Sequence, residues 1–259
     1  MDSSEQKIVL VTGGSGGLGR AIAHAFAKGG HRVIITARSK DKLKAAAELL
    51  SSGGAEVLAL PCDITERKQV EDLAEAIQAR WGNVQVLINN AGVAKAASFL
   101  EMPDSLWDEV IRTNLTGTYY CCKVFLPPMV EARWGRIINI GSTTSKVAYS
   151  HVAAYVTSKH GLVGLTRTLA LETARLGITV NAICPGYLDD DLTHANAERM
   201  AKKTGKSVAD ILAMFASSAP QKRLIAPAEV AELAVLVASE KFAGMTGQAI
   251  SLDGGATMS

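Results

Sequence analysis

The sequence predicts an α/β chain: a doubly wound, seven-stranded parallel sheet with helices on both faces, in a single domain over residues 1–259. Three observations carry this expectation. Apolar runs of strand length alternate with longer stretches of helical period. The runs are rich in Val and Ile and apolar on both faces, as strands buried between two helix layers are. No Pro/Gly/Ser-rich linker or tandem repeat divides the chain. A hydrophobic content of 48% is ample for one core of this kind, and 20% charged residues is too few for a disordered chain.

The expected strands are KIVLVT (7–12), HRVIITA (31–37), AEVLAL (55–60), VQVLIN (84–89), GRIINIG (135–141), ITVNAIC (178–184) and QAISLD (248–253). Helical stretches intervene at 18–29, 40–51, 66–80, 152–175 and 227–239, with another around 105–131. Repeated βα units with right-handed crossovers give a parallel sheet covered on both faces. The interval 188–226 breaks this rhythm, because it holds no convincing strand. Within it LTHANAERMAKKTG and SVADILAMFASS read as two short helices separated by Gly205. An insertion of this size is expected to cover a site as a lid.

Bulk charge narrows the partners. With a net charge of +2 and no basic run, nucleic acid is not an expected partner. The N-terminal MDSSEQKIVLVTGG lacks the regions of a signal peptide, and no apolar stretch approaches the ~18 residues of a membrane span, so a cytoplasmic protein is expected. Cys62, Cys121, Cys122 and Cys184 show neither zinc-type nor paired-disulfide spacing, which suits small buried thiols in a reducing cytosol.

After the first strand comes TGGSGGLG (12–19), opening directly into a helix. Glycines also serve ordinary turns, but this placement suits a phosphate cradle. Gly13, Ser15, Gly16, Gly17, Leu18 and Gly19 let the backbone approach a pyrophosphate, and a helix N-terminus supplies free N–H donors and a favourable dipole. At the end of the second strand an acidic residue would bind both ribose hydroxyls. Here the chain reads IITARSK: Ala37 removes the carboxylate and Arg38 brings a guanidinium suited to a 2′-phosphate. NADP(H) is therefore favoured over NAD(H).

Tyr155 and Lys159 stand four residues apart, on one face of a helix. A phenol with an ordinary pKa near ~10 is a poor proton donor or acceptor at neutral pH, and a neighbouring ammonium is expected to lower it. An isolated YxxxK is ordinarily a surface pair. Here Ser142 follows a strand thirteen positions earlier, NNAG (89–92) closes the fourth strand, and Asn114 sits in a helical stretch where a polar side chain needs a reason.

With these motifs in order, the chain resembles the short-chain dehydrogenase/reductase family, a Rossmann-type fold, over nearly its whole length. TGGSGGLG matches the cofactor loop, CDI (62–64) the adenine contact, and NNAG the sheet-centre motif, while VNAICPG (180–186) and TGQAISLDGG (246–255) match the closing segments. The resemblance implies that Asp63, Ile64, Asn90, Ala91, Gly92, Pro185, Gly186 and Leu188 line the cofactor. It also implies a catalytic tetrad of Asn114, Ser142, Tyr155 and Lys159. In that scheme Tyr155 exchanges a proton with the substrate oxygen and Ser142 hydrogen-bonds the same atom. Lys159 lowers the phenol pKa and holds the nicotinamide ribose, and Asn114 holds a water that relays protons from Lys159 to solvent. A homotetramer or dimer, paired through 105–131 and 152–176, is implied as well.

Substrate-facing positions are expected after NNAG, between Ser142 and Tyr155, and over 187–215. Ala94, Ala96, Ala97, Val147, Ala148, Val152, Met214 and Phe215 offer a mostly apolar lining. The long lid also resembles that of 3-hydroxybutyrate dehydrogenases, which carry carboxylate-binding Gln, His and Lys where this chain has Ala94, Thr144 and Val152. A bulky or cyclic ketone, or a CoA- or carrier-protein-bound 3-oxoacyl thioester, is the expected substrate; the small hydroxy acid is the alternative. Arg199, Lys202, Lys203 and Lys206 either meet a CoA or phosphopantetheine phosphate or form a solvated face. A catalytically retired nucleotide-binding subunit is disfavoured by the intact tetrad, and a nucleotide-sugar epimerase by chain length.

PGYLDDDLTH (185–194) places Asp189, Asp190 and Asp191 together with His194 nearby. Neighbouring loop residues point apart, so no metal is expected. The carboxylates are expected to cap the following helix. Relatives commonly place threonine at the position of Asp190, where it helps hold the cofactor. An ionised aspartate cannot donate a hydrogen bond, so Asp190 either turns outward as a cap or the lid closes differently here.

Overall fold

The computed structural model describes residues 6–258. Strands β1 (Ile8–Thr12), β2 (Arg32–Ala37), β3 (Val57–Pro61), β4 (Val86–Asn89), β5 (Gly135–Ile140), β6 (Ile178–Pro185) and β7 (Ala249–Leu252) form one parallel sheet, ordered β3-β2-β1-β4-β5-β6-β7. The chain winds outward from β1 to β3, then returns and winds the other way from β4. The reversal opens a crevice at the carboxyl ends of β1 and β4, where open α/β sheets take ligands.

The helices are α1 (Gly17–Lys28), α2 (Lys40–Ser51), α3 (Arg67–Trp81), α4 (Asp104–Ile111), α5 (Gly117–Ala132), α6 (Ala153–Thr173), α7 (Asp191–Thr204), α8 (Val208–Ser217) and α9 (Pro227–Ala238). Alternate strand residues serve opposite layers, which is why the strands are apolar throughout. Val9, Val11, Val33, Ile35 and Ile88 pack with Ile22 and Phe26 of α1, Leu43 and Leu50 of α2, and Val230 and Val237 of α9. Leu10, Ile34, Leu87 and Ile137 pack the other way, with Val70, Leu73 and Ile77 of α3 and Phe125 and Met129 of α5. Each such side chain, fully buried, contributes about 1.5–3 kcal/mol against solvent exposure. All four cysteines are free and buried, and burial pushes the Cys62 thiol up to about 11 and Cys122 to about 12.

The expected helix over 105–131 is interrupted: Arg112–Thr116 makes a π turn between α4 and α5. The π turn coincides with long-range bonds of the Asn114 side chain to Val93 and Ser158, and the Thr118 hydroxyl donates to the Asn114 carbonyl (3.0 Å).

Residues 188–226 leave the sheet after β6, and the two ends of this segment are tied together. Leu188 and Ile225 form a parallel bridge, with Asp189 N donating to Ile225 O (2.9 Å) and Ile225 N to Tyr187 O (2.8 Å). Between the ends, α7 and α8 pack on a small core of their own: Ala197, Ala201 and Ile211, with Leu212 and Phe215 against it. Among the described residues no helix is long and apolar enough to cross a membrane.

Candidate active site

The glycine turn leaves β1 and enters α1 directly. Gly13 has φ +66°, and a Cβ on Gly19 would stand 2.3 Å from the Gly13 carbonyl oxygen, so neither position admits a side chain without a shift. A Cβ on Gly16 would meet nothing within 4 Å, because this part of the loop faces open space. Gly16 provides no side-chain cap to α1 and the first turn holds no acidic residue, which leaves its leading N–H groups to an outside anion. Ser15 lies half-buried in this turn, and Leu18 is buried in the core beneath it.

The turn is braced from β4. The Thr12 hydroxyl accepts from Asn90 N (3.0 Å) and Ala91 N (3.1 Å), and Asn90 Nδ2 donates to Thr12 O (2.9 Å) and Gly13 O (3.3 Å). The Asn90 side chain thus shapes the loop instead of presenting its amide to the crevice. Asn89 is spent inside the sheet, donating to Asn139 Oδ1 (2.8 Å). A Cβ on the exposed Gly92 would stand 3.2 Å from Asn114 Oδ1.

On the adenine side, Arg38 is exposed just past β2 and has no ion pair among the described residues. Asp63 Oδ1 accepts from Thr65 N (3.0 Å) and Oγ1 (2.8 Å), and Ile64 is buried against Gly117 at the start of α5. At the far side, Pro185 ends β6 and is buried. Gly186 lets β6 approach Asp253 so closely that a Cβ would stand 3.0 Å from its Cα. Leu188 is half-buried against the core at the bridge to Ile225.

Ser142 and Tyr155 meet beside this crevice. Ser142 follows β5 at the head of a short 3-10 turn, accepting from Thr144 N (3.2 Å) while its own N–H donates to Ser145 Oγ (3.1 Å). Lys159, one turn along α6 from Tyr155, is 5% exposed. Its Nζ donates to the Ile140 carbonyl (2.6 Å) and sits 5.7 Å from the Tyr155 ring centroid. Burial holds the Lys159 pKa down at about 8.

This arrangement corrects one expectation. The Tyr155 phenol is not lowered by Lys159; burial pushes it up, and the hydrogen bond with Ser142 only partly offsets that. The physical reason is that the ammonium is engaged with a carbonyl and is itself disfavoured by burial. The Tyr155 phenol therefore stays protonated at neutral pH. Asn114 is also more committed than expected. Its side chain accepts from Val93 N (2.8 Å) and donates to Val93 O (3.0 Å) and Ser158 Oγ (3.1 Å), so it ties the π turn to α6 and to the loop after β4.

The three aspartates diverge. Asp189 Oδ1 pairs with His194 Nε2 (2.8 Å), Asp190 caps α7 by accepting from Thr193 N (2.9 Å), and Asp191 is exposed. Asp190 does not turn outward, however, because its Oδ2 lies 3.1 Å from where a Gly17 Cβ would stand. Arg199 is turned onto its own helix, bonded to Asn196 and the Ala195 carbonyl, which removes it from the expected phosphate face; Lys202, Lys203 and Lys206 are exposed. A narrow cleft next to Ser142 is bordered by Thr143, Tyr149, Tyr187, Phe215 and Arg223. The Tyr187 and Phe215 rings stack at 4.4 Å and 5°. Sequence patterning does not single out Tyr149, Tyr187 or Arg223, because lone aromatic and basic residues in loops carry no periodic signal.

The family model for short chain dehydrogenases matches residues 7–201, which holds the glycine turn, the β4 brace and the Ser142–Tyr155–Lys159 cluster. The chain belongs to this family. It is an oxidoreductase of the type that uses a nicotinamide cofactor, and the glycine turn with its uncapped helix fits the cofactor's diphosphate. A 3-oxoacyl-[acyl-carrier-protein] reductase of Staphylococcus epidermidis is 36% identical over 253 residues, covering 97% of this chain and 99% of the relative. A D-beta-hydroxybutyrate dehydrogenase of Rhizobium meliloti is 36% identical over 256 residues, covering 97% and 98%. Among solved structures, a single-site variant of the actinorhodin polyketide ketoreductase with NADPH superimposes with a TM-score of 0.95 at 36% identity, covering 100% of both chains.

Proposed function

We propose that this short-chain dehydrogenase is an NADP(H)-dependent ketoreductase acting on a bulky or cyclic ketone or a 3-oxoacyl thioester. The carrying observation is the Tyr155 phenol, pushed up by burial against a hydrogen bond with Ser142 and set one helical turn from the buried Lys159. A phenol that keeps its proton is suited to protonate a carbonyl oxygen as it becomes an alkoxide. When bound, the nicotinamide supplies the hydride. Ser142 donates to the same oxygen and steadies the developing charge. Lys159 holds the cofactor ribose and passes a proton on toward Tyr155, and Asn114 keeps the π turn, α6 and the loop after β4 in register for this. Arg38, free of ion pairs among the described residues, takes the 2′-phosphate of NADP(H).

Residues 188–226 act as the lid over the substrate end. The stacked Tyr187–Phe215 pair with Tyr149 gives a flat aromatic wall, which suits a planar or cyclic substrate better than a small acid. The hydroxybutyrate reading has the relative named above in its favour. Against it, the positions expected to bind a carboxylate hold Ala94, Thr144 and Val152, and Thr144 is buried with its hydroxyl unpartnered. We also propose that copies pair through α5 and α6, where Tyr119 and Leu171 stand exposed, and sedimentation of the purified chain tests that.

One assay panel tests the reading: NADPH and NADH consumption with bicyclic ketones, acetoacetyl-CoA, short β-keto esters and acetoacetate. The expected result is NADPH oxidation with a cyclic ketone or thioester. Turnover of acetoacetate alone would return the protein to the hydroxy-acid class. NADPH binding without turnover of any substrate would indicate a retired, non-catalytic subunit. Exchanging Ala37 for Asp and Arg38 for Leu together is expected to shift preference to NADH, and unchanged NADPH affinity would remove Arg38 from the site.

A further inference from the structure

Asp190 sits where three parts of the site converge. Its Oδ1 caps α7 through Thr193 N (2.9 Å). Its Oδ2, Cβ and Cγ lie 3.1, 3.3 and 3.5 Å from the position of a Gly17 Cβ, against the first residue of α1. Its charge also reaches Tyr155, where it helps to keep the phenol protonated. The leading N–H groups of α1 have no side-chain cap of their own, so the carboxylate stands at the positive end of that helix from outside it. A flexible position is not expected here. The flanking Tyr187–Ile225 and Asp189–Ile225 bonds, and the Asp189–His194 pair, hold the turn that carries Asp190.

A carboxylate in this place resembles, in charge, the anion that a glycine turn at a helix N-terminus is built to take. We propose that Asp190 is an internal occupant of the diphosphate cradle, which the dinucleotide must displace, so that Asp190 weakens cofactor binding and couples it to the N-terminal turn of α7. The inference rests on the nicotinamide-cofactor reading of the glycine turn and goes beyond it in assigning the affinity to one side chain outside that turn. Two like charges beside the same helix start repel over the whole span of the turn. When the dinucleotide is bound, the carboxylate must leave Gly17. Because Oδ1 of the same group caps Thr193, the start of α7 must rearrange with it.

The test uses the full chain and follows nicotinamide fluorescence with NADPH and with NADH. Asp190→Asn and Asp190→Thr remove the charge, and both residue types cap helices, so α7 retains its start. Each variant is expected to bind both dinucleotides about tenfold or more tightly than the parent protein. Asp190→Glu, which keeps the charge, is expected to stay weak. Adenosine 2′-monophosphate, which carries the 2′-phosphate but no diphosphate, should bind all forms equally. A purely structural role for Asp190 would lower thermal stability in the Asn and Thr variants without raising dinucleotide affinity, and that outcome overturns the proposal. Equal tightening of adenosine 2′-monophosphate would overturn it as well, by showing a general field in place of competition at the cradle. Loss of binding for both dinucleotides in every form, the parent included, would remove the cofactor reading itself and the proposal with it.

Discussion

On the β1–β4 side of the cleft, backbone and side chains are locked by bonds that reach far along the chain: Asn90 to Thr12 and Gly13, Ala91 to Thr12, and Gly19 wedged against the Gly13 carbonyl. On the opposite side, α7 and α8 rest on one another through Ala197, Ala201 and Ile211, and the two ends of their segment are tied to each other by the Leu188–Ile225 bridge. The first wall is continuous with the main core, whereas α7 and α8 pack on a small core of their own and reach the main one through Leu188 and Ile225. Rigid placement therefore belongs to the chemistry and the cofactor turn, and adaptable contact to the segment above them. Segments with few buried apolar contacts open at lower free energy than the core does.

The contrast can be broken by substitution on either side. The largest expected effect is Tyr155→Phe, which removes the proton donor and should cut kcat by about a thousandfold or more while NADPH affinity stays close to that of the parent. Near-normal turnover would show that another group protonates the substrate. Next is Gly19→Ala, which forces a Cβ to within 2.3 Å of the Gly13 oxygen and 2.5 Å of Asn90 Nδ2. Destabilisation of about 2–3 kcal/mol, read by denaturant unfolding, is expected together with loss of dinucleotide binding. A full-strength variant would mean that the turn is softer than its bonding indicates.

Lys159 gives a pH-dependent test of the same rigid side. Burial sets its pKa at about 8, against ~10.4 in the unfolded chain. Between those values the unfolded state binds more protons, so stability rises with pH, and the cost of burying the ammonium is largest below about pH 8. Lys159→Met should be more stable than the parent at pH 7 by up to about 3 kcal/mol, and that advantage should shrink toward pH 10. A difference independent of pH would show that the Lys159 pKa is the same in the folded and unfolded chain, so that burial does not shift it. The smallest effect belongs to the opposite wall. Tyr187→Ala loses one face of the stacked pair, for about 1 kcal/mol of stability or less, yet should raise KM for a bicyclic ketone about tenfold over that for an open-chain β-keto ester. Equal changes for both substrates would detach the aromatic wall from substrate choice.

The fold, the glycine turn and the Tyr155–Lys159 pair were largely legible because their requirements are local. Strands apolar on both faces, a glycine turn between a strand and a helix, and YxxxK on one helical face each place a physical demand on a few neighbouring residues. What the sequence could not show was where long-range bonds spend a polar side chain. Asn90 braces the glycine turn, Asn114 reads as a helical residue and lies in a π turn, and the Lys159 ammonium is turned to the Ile140 carbonyl. Tyr149, Tyr187 and Phe215 lie far apart in the chain, and nothing in their spacing announces a shared wall.

The sequence by itself determined the winding of the sheet, the position of the glycine turn and the identity of the four residues gathered near the crevice, because backbone conformation and hydrophobic period follow from short stretches. The tertiary structure decided the upward direction of the Tyr155 pKa, the aromatic wall, and the inward turn of Asp190. Burial, charge and stacking depend on which distant residues are brought within a few ångströms, and that is settled only when the two sides of the cleft come together.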